Sequence, residues 1–224
     1  MKNLEIWHGA NNKFVVMLTK ESFSKKFIKN ICRKYHVDGL IILTAINKKT
    51  IAMDFYNPDG TPDNCGNGLR VSAYYCYEKS YVRAEGTILS RGQSFSYKIE
   101  NGLVAVAFKK INKRKGLWNA GGVLHKVIKV NSFEKWKRKA SQLRKKYNSN
   151  ITLAKLVGKN VFAQTFETGV ENFTASCGTG AIAVSIDTGK STVFMPGGAL
   201  TVKKLRNAVI LSGKVGKIME VAHD

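Results

Sequence analysis

Proline occurs only three times in 224 residues and cysteine four times, and 15 acidic residues stand against 37 basic ones. Each scarcity excludes something. So little proline beside 44% hydrophobic residues excludes a disordered, low-complexity chain. Cys32, Cys65, Cys76 and Cys177 are too few to staple a chain of this size, and no paired Cys-x-x-Cys spacing suggests zinc. His8, His36, His125 and His223 are scattered without a ligand pattern, so no metal is expected. Reduced thiols in a reducing compartment are the natural reading. No apolar run approaches the ~20 residues that span a bilayer, so no membrane partner is expected. The start, MKNLEIWHGA, lacks the apolar core of a signal peptide, and a cytoplasmic address follows as the expectation.

The missing acidic residues leave a formal net charge of +22, which bears on partners rather than on fold. Three readings compete: attraction of anionic substrates, non-specific binding to nucleic acid or anionic surfaces, and a lineage-wide lysine bias. Lysines are densest at Lys109 to Lys115 and Lys135 to Lys146 but spread over nearly every segment, and no nucleic-acid-binding motif accompanies them. The bias is therefore preferred, and nucleic acid is not expected as a partner.

What the chain does have is NPDGTPDNCGNGLR, Asn57 to Arg70. A turn cluster of Asn, Pro, Asp and Gly ends on Cys65, where a helix would begin, and Gly66, Asn67 and Gly68 follow. Free amides at a helix N-terminus stabilise a thiolate and lower its pKa. The glycines let backbone come close to an anionic ligand, so amides could bind it. Taken alone, the motif is equally a buried cysteine in a Gly-rich turn. It is not alone. ASCGTGAIA at Ala175 repeats it, with Cys177, Gly178, Thr179 and Gly180 echoing Cys65 to Gly68. Phe55 sits ten residues before the first cysteine and Phe166 eleven before the second, and the cysteines are 112 residues apart. Two similar halves, each offering a thiol at a helix start, suggest a pseudo-symmetric pair meeting across a cleft.

The rest of the chain fits such a duplication. Strands are expected at Leu4 to Trp7 and Phe14 to Leu18 around a turn. A helix over Glu21 to Tyr35 follows from the apolar stripe Phe23, Phe27, Ile28, Ile31 and Cys32. Asp38 and Gly39 break the chain before strands at Leu40 to Ala45 and Thr50 to Tyr56, and a helix runs from about Leu69 to Glu78. Ser94 to Glu100 and Leu103 to Lys109, separated by Asn101 and Gly102, form a hairpin. The basic stretch Lys109 to Gly116 is the candidate boundary, giving domains 1–112 and 113–224. The second half offers a strand near Lys126 to Val130 and a helix over Ser132 to Tyr147 with one basic, solvated face. Strands follow at Ile151 to Leu156, Asn160 to Phe166, Ser191 to Met195, Leu200 to Lys204 and Val209 to Ser212.

HGANNKF near the start, DGLI at Asp38, FYNPDG and DNCGNGLR, FETG at Phe166, ASCGTGA and the PGG at Pro196 together resemble the diaminopimelate epimerase family over most of the chain. The resemblance implies an α+β fold of two pseudo-symmetric domains, each a mixed or antiparallel sheet wrapped around a central helix. Proline racemase and the phenazine-type isomerases share that architecture. The implied activity is amino-acid racemisation or epimerisation without a pyridoxal cofactor. One cysteine as thiolate takes the α-hydrogen, and the other, as thiol, returns a proton on the opposite face. Cys65 and Cys177 would fill these roles. The amides of Gly66, Asn67, Gly178 and Thr179 would hold the carboxylate as it becomes an enediolate. By the same resemblance Asn12, Asn57 and Asn150 contact substrate, and Glu167 helps to bind its α-amino group.

Two positions depart from the family pattern. Thr168 stands where the family has arginine. Val123 and Leu124 stand where it has asparagine and proline, with only His125 retained. In the family those residues hold the distal amino-acid end of diaminopimelate, and threonine cannot replace a bidentate arginine. The expected substrate is therefore a small-molecule amino acid lacking that end, such as histidine, or a residue in a peptide. A divergent diaminopimelate epimerase is the alternative, with one of the many lysines as the clamp. A catalytically silent basic binding protein is the second alternative, although a binding module has no need of two opposed thiols. A thiol-disulfide enzyme fits less well still. A homodimer is compatible with the sequence.

Overall fold

The computed structural model describes residues 4–221, so His223 lies outside the described residues. A two-residue turn joins β1 (Leu4–Gly9) to β2 (Asn12–Leu18), with Ala10 and Asn11 both at positive φ. The helix α1 (Lys25–Tyr35) begins four residues later than its apolar stripe suggested. Ser24 caps it by accepting a hydrogen bond from the Phe27 amide, and Phe23, outside the helix, stacks on the Phe27 ring at 4.6 Å. β3 (Leu40–Asn47) and β4 (Thr50–Tyr56) follow as a hairpin, then the short β5 (Pro62–Asp63) and the helix α2 (Gly66–Glu78). β6 (Glu85–Ser90) carries no signal in the sequence; β7 (Gln93–Glu100) and β8 (Leu103–Phe108) form the expected hairpin on Asn101 and Gly102.

The basic stretch after β8 is itself strand, β9 (Asn112–Arg114), and pairs with β10 (Leu117–Ala120). β11 (Val123–Lys129), α3 (Phe133–Tyr147), β12 (Asn150–Val157), β13 (Asn160–Glu167) and β14 (Asn172–Phe173) lead to α4 (Gly178–Thr188). The chain ends in β15 (Thr192–Met195), β16 (Gly198–Lys204) and β17 (Val209–Val221), the last running nine residues beyond the expected Ser212.

The pairing order repeats. β2 lies parallel to β3 across α1, as β11 does to β12 across α3. β4 lies parallel to β6 across α2, as β13 does to β15 across α4. All seventeen strands are nonetheless joined by hydrogen bonds, because β17 pairs with β16, β8 and β1.

The strands wrap α2 and α4. From Gly66 to Ala73 every residue of α2 is buried, and from Gly178 to Ser185 every residue of α4. A helix buried all round must sit inside a fold rather than upon it. Both contribute to the main core, Leu69, Val71 and Cys76 from one and Ile182 and Val184 from the other. By contrast α1 and α3 are amphipathic and cover the outside, each over its own smaller core. The fold is thus mixed α+β, a sheet-rich barrel-like wrap with four helices, whose two internal helices point their N-termini at one place. None of the helices among the described residues is long and apolar enough to cross a membrane.

Candidate active site

Both motif cysteines cap a helix. Cys65 (φ −131°, ψ 110°) and Cys177 (φ −130°, ψ 111°) hold the N-cap positions of α2 and α4 with nearly superimposable extended backbones. That position faces the free amides of the first turn. The Cys65 sulphur accepts a hydrogen bond from the Gly68 amide at 3.3 Å, and the Cys177 sulphur lies 3.5 Å from Thr179 Oγ1. The two helix starts abut. A Cβ on Gly66 would lie 3.3 Å from the Thr179 amide nitrogen, and one on Gly178 would lie 3.2 Å from the Gly66 carbonyl carbon and 2.8 Å from Leu211. Glycine at these two positions is what lets the helices meet so closely.

The eleven residues singled out in the sequence all line the cleft at this junction: Cys65 and Cys177, Asn12, Asn57 and Asn150, Gly66, Asn67, Gly178 and Thr179, Glu167 and Thr168. Val123 lines it too, whereas Leu124 is exposed. Asn12 is the first residue of β2 rather than part of the turn. Several of the polar side chains hold the walls. Asn67 Nδ2 reaches Asn12 Oδ1 at 3.1 Å and both oxygens of Ser176, at 2.8 and 2.9 Å, tying the α2 start to the loop before Cys177. Its Oδ1 accepts from Arg70 Nη2 at 2.5 Å. Arg70 is fully buried and makes no ion pair among the described residues, and its Nε and Nη1 have no hydrogen-bond partner there. Asn150 Oδ1 accepts from the Thr168 amide at 2.8 Å.

Several residues of the site were given no role by the sequence. His125 is fully buried between Thr152 Oγ1 (3.0 Å) and Thr179 Oγ1 (2.9 Å), which links it through Thr179 to Cys177. Burial pushes its imidazole down to about 3, so it is neutral near pH 7. Thr174 lies outside every motif, and Ser176, Asp38 and Asp63 lie within motifs but without an assigned role; Thr174, Asp38 and Asp63 line the cleft, which Ser176 helps to brace.

Electrostatics reverses one expectation. Helix N-termini alone would lower the thiol pKa values, yet both are raised. The larger cause is burial: Cys65 keeps a part of its surface to the cleft but lies deep beneath its walls, and water that would solvate a thiolate is excluded. Glu167 adds to it at both sulphurs, opposed by the hydrogen bonds from Gly68 and Asn67 to Cys65 and from Thr179 and Gly180 to Cys177. Glu167 itself is pushed up to about 7, first by burial and then by Asp38 and Asp63, against the lowering effect of hydrogen bonds from Thr174 and Cys177. Both thiols are thus held protonated near neutral pH. A cation beside Glu167 would offset the second of these causes and leave burial, the first, in place.

The cleft is closed, with free space of about 20 Å³, room for about one water. Two loops meet over it. Gly169 has φ +82°, and a Cβ there would collide with Asn57 Nδ2. Gly169→Ala is accordingly expected to wedge these loops apart and to cut kcat/KM by at least about tenfold, the scale set by a non-glycine residue at positive φ together with a misplaced substrate contact. Steady-state kinetics beside an unfolding curve checks this, since a folded variant with unchanged kcat/KM would show that the loops need not close.

No family model matches the chain. Among curated proteins it is similar to the diaminopimelate epimerase of Nitratiruptor sp. (27% identical, covering 96% of this chain and 95% of that one) and to that of Thermotoga maritima (28%, covering 82% and 85%). Among solved structures it is similar in fold to a putative phenazine biosynthesis protein from Clostridium difficile (TM-score 0.74, 13% identical, all of both chains). It is also similar to a probable proline racemase from Agrobacterium radiobacter (TM-score 0.70, 10% identical, 100% of this chain and 93% of that one).

Proposed function

Because this chain is an isomerase related to the diaminopimelate epimerases, we propose that it racemises or epimerises an amino acid by proton transfer between Cys65 and Cys177. The observation that carries this reading is the pair of cysteines at the N-caps of two buried helices whose starts abut in one closed cleft. Two such thiols address opposite faces of one carbon. The halves 1–112 and 113–224 act as two pseudo-symmetric units, each contributing one thiol and one helix N-terminus.

The substrate's α-ammonium docks at Glu167 and its carboxylate at the amides of Gly66, Asn67, Gly178 and Thr179. As the α-proton leaves, charge moves onto the carboxylate oxygens, and fixed amide dipoles in a water-poor site stabilise it without reorganising. The ammonium at Glu167 meanwhile offsets the part of the thiol shift that Glu167's charge adds to burial, so the base ionises more easily when the substrate is in place. The thiolate takes the proton and the opposing thiol gives one up; in the reverse direction the roles exchange. No step calls for pyridoxal phosphate, and its addition is expected to leave the rate unchanged.

The relatives named above favour a second reading, conversion of LL- to meso-diaminopimelate. Thr168 and Val123 weigh against it, because both line the cleft and neither can clamp a distal carboxylate. Incubating the purified protein in deuterated water with a panel of L-amino acids and LL-diaminopimelate, and reading α-deuterium by mass spectrometry, separates the two. Exchange confined to a smaller amino acid supports the first reading. Efficient exchange of diaminopimelate restores the second, and exchange of nothing in the panel sinks both.

A further inference from the structure

The chain carries 37 basic and 15 acidic residues, yet the cleft wall inverts that balance. Asp38, Asp63 and Glu167 line it, and no lysine or arginine does. Each carboxylate is fixed in place. Asp38 Oδ2 accepts from the Lys13 amide at 2.8 Å, Asp63 Oδ1 from the Asn64 amide at 2.7 Å, and Glu167 Oε1 from Thr174. Asp38 and Asp63 both act on Glu167 through space, so the three share one field. A wall of that sign suits a cationic group on the ligand, and among the described residues no three acidic, cysteine or histidine groups converge closely enough to hold a metal ion.

Charge counting then narrows the substrate. An α-amino acid brings one ammonium and one carboxylate to its reacting end. The carboxylate goes to the helix amides and the ammonium to Glu167, which leaves two further carboxylates on the half-buried wall: Asp38, offset in part by the Lys13 charge and by Asn12, and Asp63, which has only amide donors. Asp63 is also well placed to meet a side chain. Its Oδ2 lies 3.4 Å from Asn57 Nδ2, and Asn57 packs against Gly169, next to Thr168. A carboxylate thus stands on the side of the cleft where, by the resemblance, an arginine would hold a second carboxylate. An anionic distal end would meet repulsion there, and a neutral one would leave the half-buried Asp63 carboxylate with no cation to replace the water it displaces.

Resting on the racemase reading, we propose that the substrate is an α-amino acid with a cationic side chain, an ammonium, guanidinium or imidazolium, received by Asp63 with Asp38 supporting the field. Charge-assisted hydrogen bonds in a desolvated site discriminate strongly, and a preference of about 100-fold over a neutral amino acid of the same length is expected.

The test measures α-deuterium exchange for L-lysine, L-ornithine, L-arginine and L-histidine against L-norleucine, L-glutamine and L-glutamate, in the wild type and in Asp63→Asn. Binding of the same compounds is measured calorimetrically in parallel. At least one basic amino acid should exceed norleucine by about 100-fold in kcat/KM, and Asp63→Asn should shrink that ratio by at least about tenfold, through KM. Norleucine or glutamate handled as well as every basic amino acid would overturn the proposal and leave the racemase reading standing. Exchange of none of them would remove the racemase reading. The calorimetry would then decide the charge preference by itself: tighter, Asp63-dependent binding of a basic amino acid upholds it, and equal binding ends it.

Discussion

Cys65→Ala and Cys177→Ala are each expected to abolish racemisation, with losses of at least about 10³-fold, the upper range for a positioned proton-transfer group. Inversion needs a donor and an acceptor on opposite faces, so either loss is sufficient. Cys32→Ala and Cys76→Ala serve as controls. Both are buried, Cys32 in the core beneath α1 and Cys76 within α2, and their thiols are pushed up to about 12 by burial. Their removal costs packing, on the order of 1 kcal/mol for a small cavity, and should lower the unfolding midpoint while most activity stays. Chiral chromatography of the product alongside thermal unfolding distinguishes the two classes. Racemisation persisting in either motif variant would contradict the two-thiol mechanism.

The second large effect concerns Glu167→Gln, and its two halves point in opposite directions. As the docking group for the α-ammonium, Glu167 should matter by about 100-fold or more in kcat/KM. As the charge that raises both thiols, its removal should make them easier to ionise. Iodoacetamide should then alkylate the free variant faster than the free wild type at the same pH. The sign follows for pH as well. A raised thiol pKa means that wild-type kcat/KM climbs with pH through and above the ordinary thiol value of about 8.5, and the variant's residual activity should climb at lower pH. Unchanged alkylation in the variant together with an unmoved limb would show that burial alone sets the thiols, and slower alkylation would contradict a raising role for Glu167.

How much of this was legible in the sequence depends on the range of the forces involved. The cysteine N-caps could be read because a turn cluster, a glycine and an apolar run are local signals, and their duplication made them specific. The start of α1 was misplaced because Glu21 and Ser22 suit a helix as well as Ser24 suits its cap, and the ring stack of Phe23 on Phe27 decides the matter. The second part of β17 was not legible. Gly213 and Gly216 interrupt its apolar pattern, and both are required by long-range approaches: a Cβ at 213 would collide with Arg70 Nη1, and one at 216 would lie 2.8 Å from His8 Nε2. The sign of the thiol shift was also beyond reach. Helix amides are implied by a local motif, but the loops that exclude water and the three carboxylates come from Asp38, Asp63 and Glu167, far apart in the chain. His125 likewise acquires its place only when β11, β12 and α4 bring Thr152 and Thr179 to its two ring nitrogens.

The central claim is that one thiol removes the α-proton and the other delivers a different one. It is tested most directly by starting from a single enantiomer of the substrate in deuterated water and following both enantiomers before equilibrium. With two bases, the inverted enantiomer should carry α-deuterium from the first turnovers while the unreacted enantiomer keeps its protium. Deuterium appearing at equal rates in both enantiomers would mean that a single base serves both faces, and the paired cysteines would need another explanation.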